Sequence, residues 1–184
     1  MTWDDGGFYV VSCGVGRSRR YHSAMREFYR RIADLITAIS AVSGSGAFVA
    51  LFLVDRTTLI AKILMAVVGV TSTLNLVYGF AKKADLHDKL TKDFTKLAAD
   101  MALWPADDEH LHQARSRRIT IEADEPHVRQ LINLRAQNDE WRARGVPEDR
   151  MCPLTKRQKS WWLAYFMDWG LAELEDRIHE RNRP

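Results

Sequence analysis

Few side chains in this sequence stand where they could do chemistry together. His87 lies between Asp85 and Asp88, and these donors could be drawn around a divalent cation. On a charged helix the same three read more simply as a solvated face. His110 and His112 are two residues apart, so on a helix they point to different faces. Glu122, Asp124 and Glu125 make an acid cluster of the sort a catalytic site uses. Beside Pro126 they also serve as acids at a helix start, which needs no catalysis. Cys13 and Cys152 match no metal or redox spacing and read as free thiols in a reducing compartment. There is no glycine-rich phosphate loop, nucleophile elbow or Cys/His pair at ligand spacing. The sequence therefore assigns no catalytic residue, metal or cofactor, and an enzyme is the least supported class.

Two other groups of residues carry a different chemistry, that of association in or on a bilayer. Thr37, Ser40, Gly44 and Ala47 share one helical face, adjoined by Ser43, Ser45 and Gly46, while Ser72, Asn75 and Gly79 share a face further on. Small residues let helix backbones approach in lipid, and an amide such as Asn75 needs a partner there. Packing within one hairpin accounts for these residues; the sharper reading is that several hairpins associate and the hydroxyls line a conduit. No charged ring lies among them, so an ion-selective filter is not indicated. The second group is Lys156, Arg157, Gln158 and Lys159 followed by Trp161, Trp162, Tyr165, Phe166 and Trp169. Cations followed by an aromatic face suit an interfacial membrane helix. A packing face against protein is the alternative, because aromatics dominate such cores too.

Two apolar runs must position the first group. Residues 35–54 carry no charge over about 20 residues, enough to cross a hydrocarbon core of roughly 30 Å. Residues 63–81 form a second run of about 19, closed by Lys82 and Lys83 and opened by Lys62, whose side chain can reach an interface. The link Val54-Asp55-Arg56-Thr57-Thr58 joins them, with Thr57 or Thr58 as a helix cap. Buried helices of a soluble bundle usually keep a polar stripe, and neither run has one beyond small hydroxyls and Asn75. A membrane-spanning helical hairpin follows, with spans at about 32–54 and 58–81.

Both helices are expected to continue beyond the spans. Tyr21, Met25, Phe28, Tyr29 and Ile32 recur at helical spacing before the first, and Leu86, Leu90, Phe94, Leu97 and Met101 after the second. Folding the hairpin about Arg56 sets Phe28 near Ala84 and Tyr21 near residues 90–92, an antiparallel stalk. The second helix should run over 58–103 and end at Trp104-Pro105. Beyond it lie a charged helix over 106–121, another starting near Pro126 and ending at Gly145-Val146-Pro147, and a last helix over about 155–181. The sequence thus reads as an all-α protein in three parts. These are a flexible glycine-containing arm (1–17), a transmembrane hairpin with its stalk (18–104) and a cytoplasmic helical extension (105–184).

Composition agrees once its unevenness is recognised. The mean hydropathy of −0.30 averages an apolar middle with two charged flanks. A net charge of +3 over 184 residues does not suggest a nucleic-acid partner. Six arginines (17, 19, 20, 26, 30 and 31) precede the first run and Lys82, Lys83, Lys89, Lys92 and Lys96 follow the second, so both termini are expected in the cytoplasm. No cleavable signal peptide is visible, and insertion would be directed by the hairpin itself.

The segments Phe28-Tyr29-Arg30-Arg31, Ser43-Gly44-Ser45-Gly46-Ala47 and Leu76-Val77-Tyr78-Gly79-Phe80, with His87 on the stem that follows, resemble the SLATT-like two-transmembrane proteins. Residues 118–126 and 146–154 are similar to the cytoplasmic part of a bacterial and prophage-borne branch. The resemblance covers about residues 20–165 and consists of loose patterns. It implies a helical hairpin with a cytoplasmic extension, assembled as a homo-oligomer in the bacterial inner membrane, that perturbs membrane integrity in a conflict system. It also implies a separate sensor or nucleotide-signalling partner, since this chain has no fused sensor domain. A membrane effector of defence or prophage exclusion is therefore the leading expectation. A non-perforating scaffold that recruits a cytoplasmic partner, and a holin-like lysis protein, are the alternatives.

Overall fold

The protein's structure is a computed structural model that describes residues 3–53, 59–160, 162–167, 171 and 174. Among these it contains only helices and the turns between them, so the all-α class holds. The helices are α1 (Trp3–Leu53), α2 (Leu59–Tyr78), α3 (Phe80–Leu103), α4 (Asp108–Glu122), α5 (Gln130–Ala143) and α6 (Lys156–Ser160), with 3-10 turns at Glu148–Arg150 and Trp162–Tyr165. The link at 54–58 with its expected cap, Trp161 and Trp169, and the side chain of Lys159 lie outside the described residues.

The chain divides into two compact units, Met1–Met25 with His87–Pro184, and Arg26–Leu86. This is not the division expected at residues 104–105. The first part of α1 and most of α3 belong with the C-terminal helices.

The first unit is built on a stripe. Val11, Val15, Ser18, His22 and Met25 are buried along α1 at alternating spacings of four and three, the repeat that keeps one helix face turned to its neighbours. Leu90, Phe94, Leu97 and Met101 do the same on α3, and Leu111 and Ala114 of α4 close the cluster. Full burial of each large side chain contributes about 1.5–3 kcal/mol. That explains why helix begins at Trp3, where a flexible arm was expected. Each helical glycine costs about 1 kcal/mol relative to alanine, but Val11 and Val15 bury completely or nearly so, and Phe8 packs against the same core. At Gly16 the absence of a side chain is itself required, because a Cβ there would collide with the Glu140 carboxylate.

Local rules set the remaining boundaries of this unit. α3 stops at Leu103, ahead of Pro105. Asp107 caps α4 by accepting from the His110 N–H at 2.8 Å, and that bond holds its carboxyl below the usual range. α5 starts at Gln130, later than the expected start near Pro126. The Arg129 N–H donates to Tyr21 Oη at 3.0 Å, and residue 129 is held extended at φ −78, ψ 107. The amide of Asn138 then clamps the backbone of Cys152 in both directions, at 2.9 Å each way. Thr155 and Gln158 form a capping box at the start of α6. The expected long helix from 155 is cut short at Ser160 and followed by a 3-10 turn. Arg135 donates to the carbonyl of Gln158, which a continuing α-helix would use for its own ladder.

In the second unit, residues 26–53 of α1, α2 and the first turns of α3 form a helical pair. Ser40 Oγ and Thr71 Oγ1 share a hydrogen bond of 2.9 Å across it. The expected single helix over 58–103 is interrupted at Gly79, which takes φ 57, a left-handed conformation that glycine adopts without steric cost. The interruption is one residue long, since Gly79 N–H still reaches Asn75 O and Lys83 N–H reaches Gly79 O, both at 3.0 Å. Aromatic rings gather around it. Tyr78 stacks on Phe80 at 5.5 Å, and the Lys83 ammonium lies over the rings of Tyr29 and Tyr78 at 5.7 and 5.8 Å.

Candidate functional site: an apolar face with a polar groove

Along α2 the apolar side chains face outward. Leu76 is 86% exposed and Val70 59%, and Leu59, Ile63 and Val77 are exposed with them. On α1, Leu35, Ile39 and Val42 are exposed as well. Soluble monomers rarely show contiguous apolar patches beyond a few hundred Å². Among the described residues one helix is long and apolar enough to cross a membrane. Counted through the break at Gly79 it is Lys62–Leu103, and of its apolar 18-residue window, with mean hydropathy 1.7, only 6% is buried. A core helix passes the same test of composition, but a core helix is covered by its own protein.

Several hydroxyls of this face bond back along their own helices, as Thr91, Thr95 and Thr120 do in the first unit. Thr37, Ser45 and Thr73 each donate to the carbonyl four residues back, at 2.8, 2.9 and 2.8 Å. Thr71 does so to Val67 at 2.8 Å while also meeting Ser40. Thr37, Ser40, Ser72 and Asn75 line one groove of about 580 Å³ together with Ile36 and Leu76, and no charged side chain lines it. The glycines separate by role. A Cβ on Gly46 would stand 3.0 Å from Leu64, so Gly46 is a contact point; Gly44 has open space beside it; Gly79 supplies the bend.

The aromatic stretch after α6 is divided. Lys156 and Arg157 are exposed and Trp162 is 60% exposed, its ring edge-on to Phe166 at 6.2 Å. Gln158 and Ala164 are buried, and Tyr165 hydrogen-bonds Arg135 of α5. Part of this face therefore packs on protein, and among the described residues of the stretch Trp162 is the exposed ring.

The acidic and histidine residues considered from the sequence take unexpected places in the first unit. His87 is not on a solvated face. It is buried, its Nδ1 2.9 Å from Nδ1 of His22, while Nε2 of His22 lies 3.0 Å from Glu125 Oε1. Phe94 stacks on His22 at 5.5 Å and Tyr21 meets both imidazoles edge-on. A hydrogen bond between two Nδ1 atoms needs one donor and one acceptor, so one of the two atoms carries a proton and the other does not. Burial, and next the neighbouring His22, pushes His87 down to about 4. Asp88 pairs with Lys92, Asp124 with Lys89 and Glu122 with Arg118, all at 2.6 Å. The acids near Pro126 thus end α4 and its turn rather than start a helix, and each meets a different partner. No group of three or more potential metal ligands occurs among the described residues.

A second polar centre was not visible in the sequence. Glu140 accepts from Arg20 Nε at 2.8 Å and Arg144 Nε at 2.7 Å, and Arg144 also reaches Ser12 Oγ at 3.0 Å. Burial alone would raise the Glu140 carboxyl, but the bonds from Arg20 and Arg144 outweigh it and hold the group below its ordinary value. The one signal for His22 was its position on the Val11–Val15–Ser18–Met25 stripe. For Glu140 there was none, because its partners lie up to 120 residues away.

Compared with known protein families, with curated proteins and with solved structures, the chain shows no match.

Proposed function

We propose that this chain is a bacterial inner-membrane effector of a defence or prophage-exclusion system, which self-associates in the bilayer and disturbs it. The observation that carries the membrane part is the outward apolar surface of α2, covered over only 6% of its apolar window. The internal hydrogen bonds of Thr37, Ser45, Thr71 and Thr73 agree with it, since hydroxyls in lipid must find acceptors within the protein, though hydroxyls of the first unit bond in the same way. Self-association is supported by the groove, where Asn75 and Ser72 are exposed amid apolar residues and a second copy would supply their partners. The flanking arginines and lysines support cytoplasmic termini. The conflict-system role rests on the resemblance to SLATT-type proteins.

Expression in bacteria loaded with a potential-sensitive dye tests the reading. Loss of membrane potential and arrested growth, under overexpression or on phage challenge, is the expected result. Full expression with unchanged potential and growth under both conditions would reject it.

A recruiting scaffold is the second reading, favoured by the extent of the first unit, which has its own buried core that includes Val11, Val15, Phe94 and Leu111. Residues 105–184 alone would not test it, because that piece lacks Val11, Val15, Phe94, Leu97 and Met101. Replacing residues 32–81 by an unrelated spanning hairpin does: a scaffold keeps its function after the exchange, and a membrane-disturbing effector loses it.

A further inference from the structure

The groove between α1, α4 and α5 brings two cations side by side. Arg17 projects from α1 and Arg118 from α4, and both line a cavity of about 230 Å³ with Gln137, Glu140 and Trp141. The Arg118 guanidinium lies directly on Gly14, where any Cβ would strike it. Its Nε is bonded to Glu122. Arg17 Nε is buried and has no hydrogen-bond partner among the described residues. A buried donor left unmade is costly, and more so when charged. Burial and then the charge of Arg118 act against the Arg17 cation, and the Glu122 and Glu125 carboxylates only partly offset them. Glu140 does not relieve this, because both of its oxygens are already taken by Arg20 and Arg144.

We infer that this cavity is a binding site for an oxyanion of the phosphate type, held between the guanidinium groups of Arg17 and Arg118. Two planar forks side by side match the oxygens of a tetrahedral anion, and Arg is the residue whose donors do so in pairs. The Gln137 amide adds a neutral polar group, and Trp141 gives the cavity an apolar wall for whatever carries the phosphate. The volume suits a phosphate on a small organic body and is below the range of about 300–1,000 Å³ usual for drug-sized ligands. An anion here would join α1, α4 and α5, so binding stabilises the first unit by mass action. The inference is independent of the membrane reading, since every residue it uses lies in the first unit.

The test uses the purified full-length chain in detergent, titrated with inorganic phosphate against chloride at matched ionic strength, with thermal unfolding as the readout. A saturable rise in Tm with phosphate and none with chloride is expected. Arg17→Gln should weaken the midpoint at least tenfold. Gly14→Ala, which favours helix but displaces the Arg118 guanidinium, should weaken it severalfold in a protein that still unfolds cooperatively. Superimposable phosphate and chloride curves would overturn the site, as would an unchanged phosphate response in Gly14→Ala. Vesicles containing phosphatidate identify the source. Competition with free phosphate assigns a lipid headgroup, and unchanged phosphate binding in their presence assigns a soluble ligand; both uphold the site.

Discussion

The two units of this protein use α1 in opposite ways. In the first, Val11, Val15, His22 and Met25 turn inward and the polar side chains reach across long sequence distances, as Arg20 does to Glu140 and His22 to Glu125. In the second, Leu35, Ile39 and Val42 turn outward; hydroxyl bonds to the carbonyl four residues back occur in both units, at Thr37 and Ser45 here and at Thr91 and Thr95 in the first. On the proposed membrane reading, the difference follows from solvent. Where water is outside, apolar groups must be covered by protein and polar groups can afford distant partners. Where lipid is outside, apolar groups are already at home and every polar group needs a partner nearby. One helix can satisfy both rules because its sequence changes character near Arg31.

The comparison breaks most readily at the core of the first unit. Phe94→Ala should destabilise by about 4 kcal/mol, because it empties a fully buried position. Val77→Ala, at an exposed position of the second unit, should stay within about 0.5 kcal/mol. Thermal unfolding of the purified chain in detergent measures both, and equal effects would erase the distinction between the units.

Charge at the apolar face gives the next largest effect. Val70→Arg places a cation at an exposed position of α2, which a water-facing helix tolerates and a membrane centre resists by about 3 kcal/mol. Carbonate extraction of bacterial membranes should show the wild type retained and Val70→Arg released. Equal recovery of both in the soluble fraction would remove the lipid-facing account of this unit.

Acid should affect the first unit through its histidine pair. His87 is held neutral at about 4 when folded, against 6.5 when unfolded. The unfolded chain therefore binds more protons between those values, and stability falls as pH drops through that window and is fully kept above it. His87 is faced by His22, Tyr21 and, through His22, by Phe94 and Glu125. A loss on the order of 2–3 kcal/mol between pH 6.5 and 4 is expected, read as Tm against pH. His87→Leu should flatten that slope, and an unchanged slope would show that other groups carry it.

Much of the architecture is local and could be read from neighbouring residues. The apolar runs, the end of α3 before Pro105, and the capping pair Thr155 and Gln158 all depend on residues a few positions apart. The candidate residues Thr37, Ser40, Ser72 and Asn75 were chosen for one helical face each, and the structure brings them to one groove. Other features needed a distant partner to become visible. Gly79 could be named as a small residue, but not as a left-handed break, because φ is fixed by how the flanking helices pack.

The sequence by itself determined the all-helical character and which stretches are apolar, because helical period and hydropathy are properties of adjacent residues; the helix start at Trp3, the break at Gly79 and the short α6 came from the tertiary structure. Only the tertiary structure decided what the polar residues do. It placed His87 inside against His22, gave Glu140 two arginines and a glycine to lie on, and left Arg17 beside Arg118 in a cavity. A charged side chain takes its meaning from the group that answers it, and for Glu140 and Glu125 that group includes a residue more than a hundred positions away.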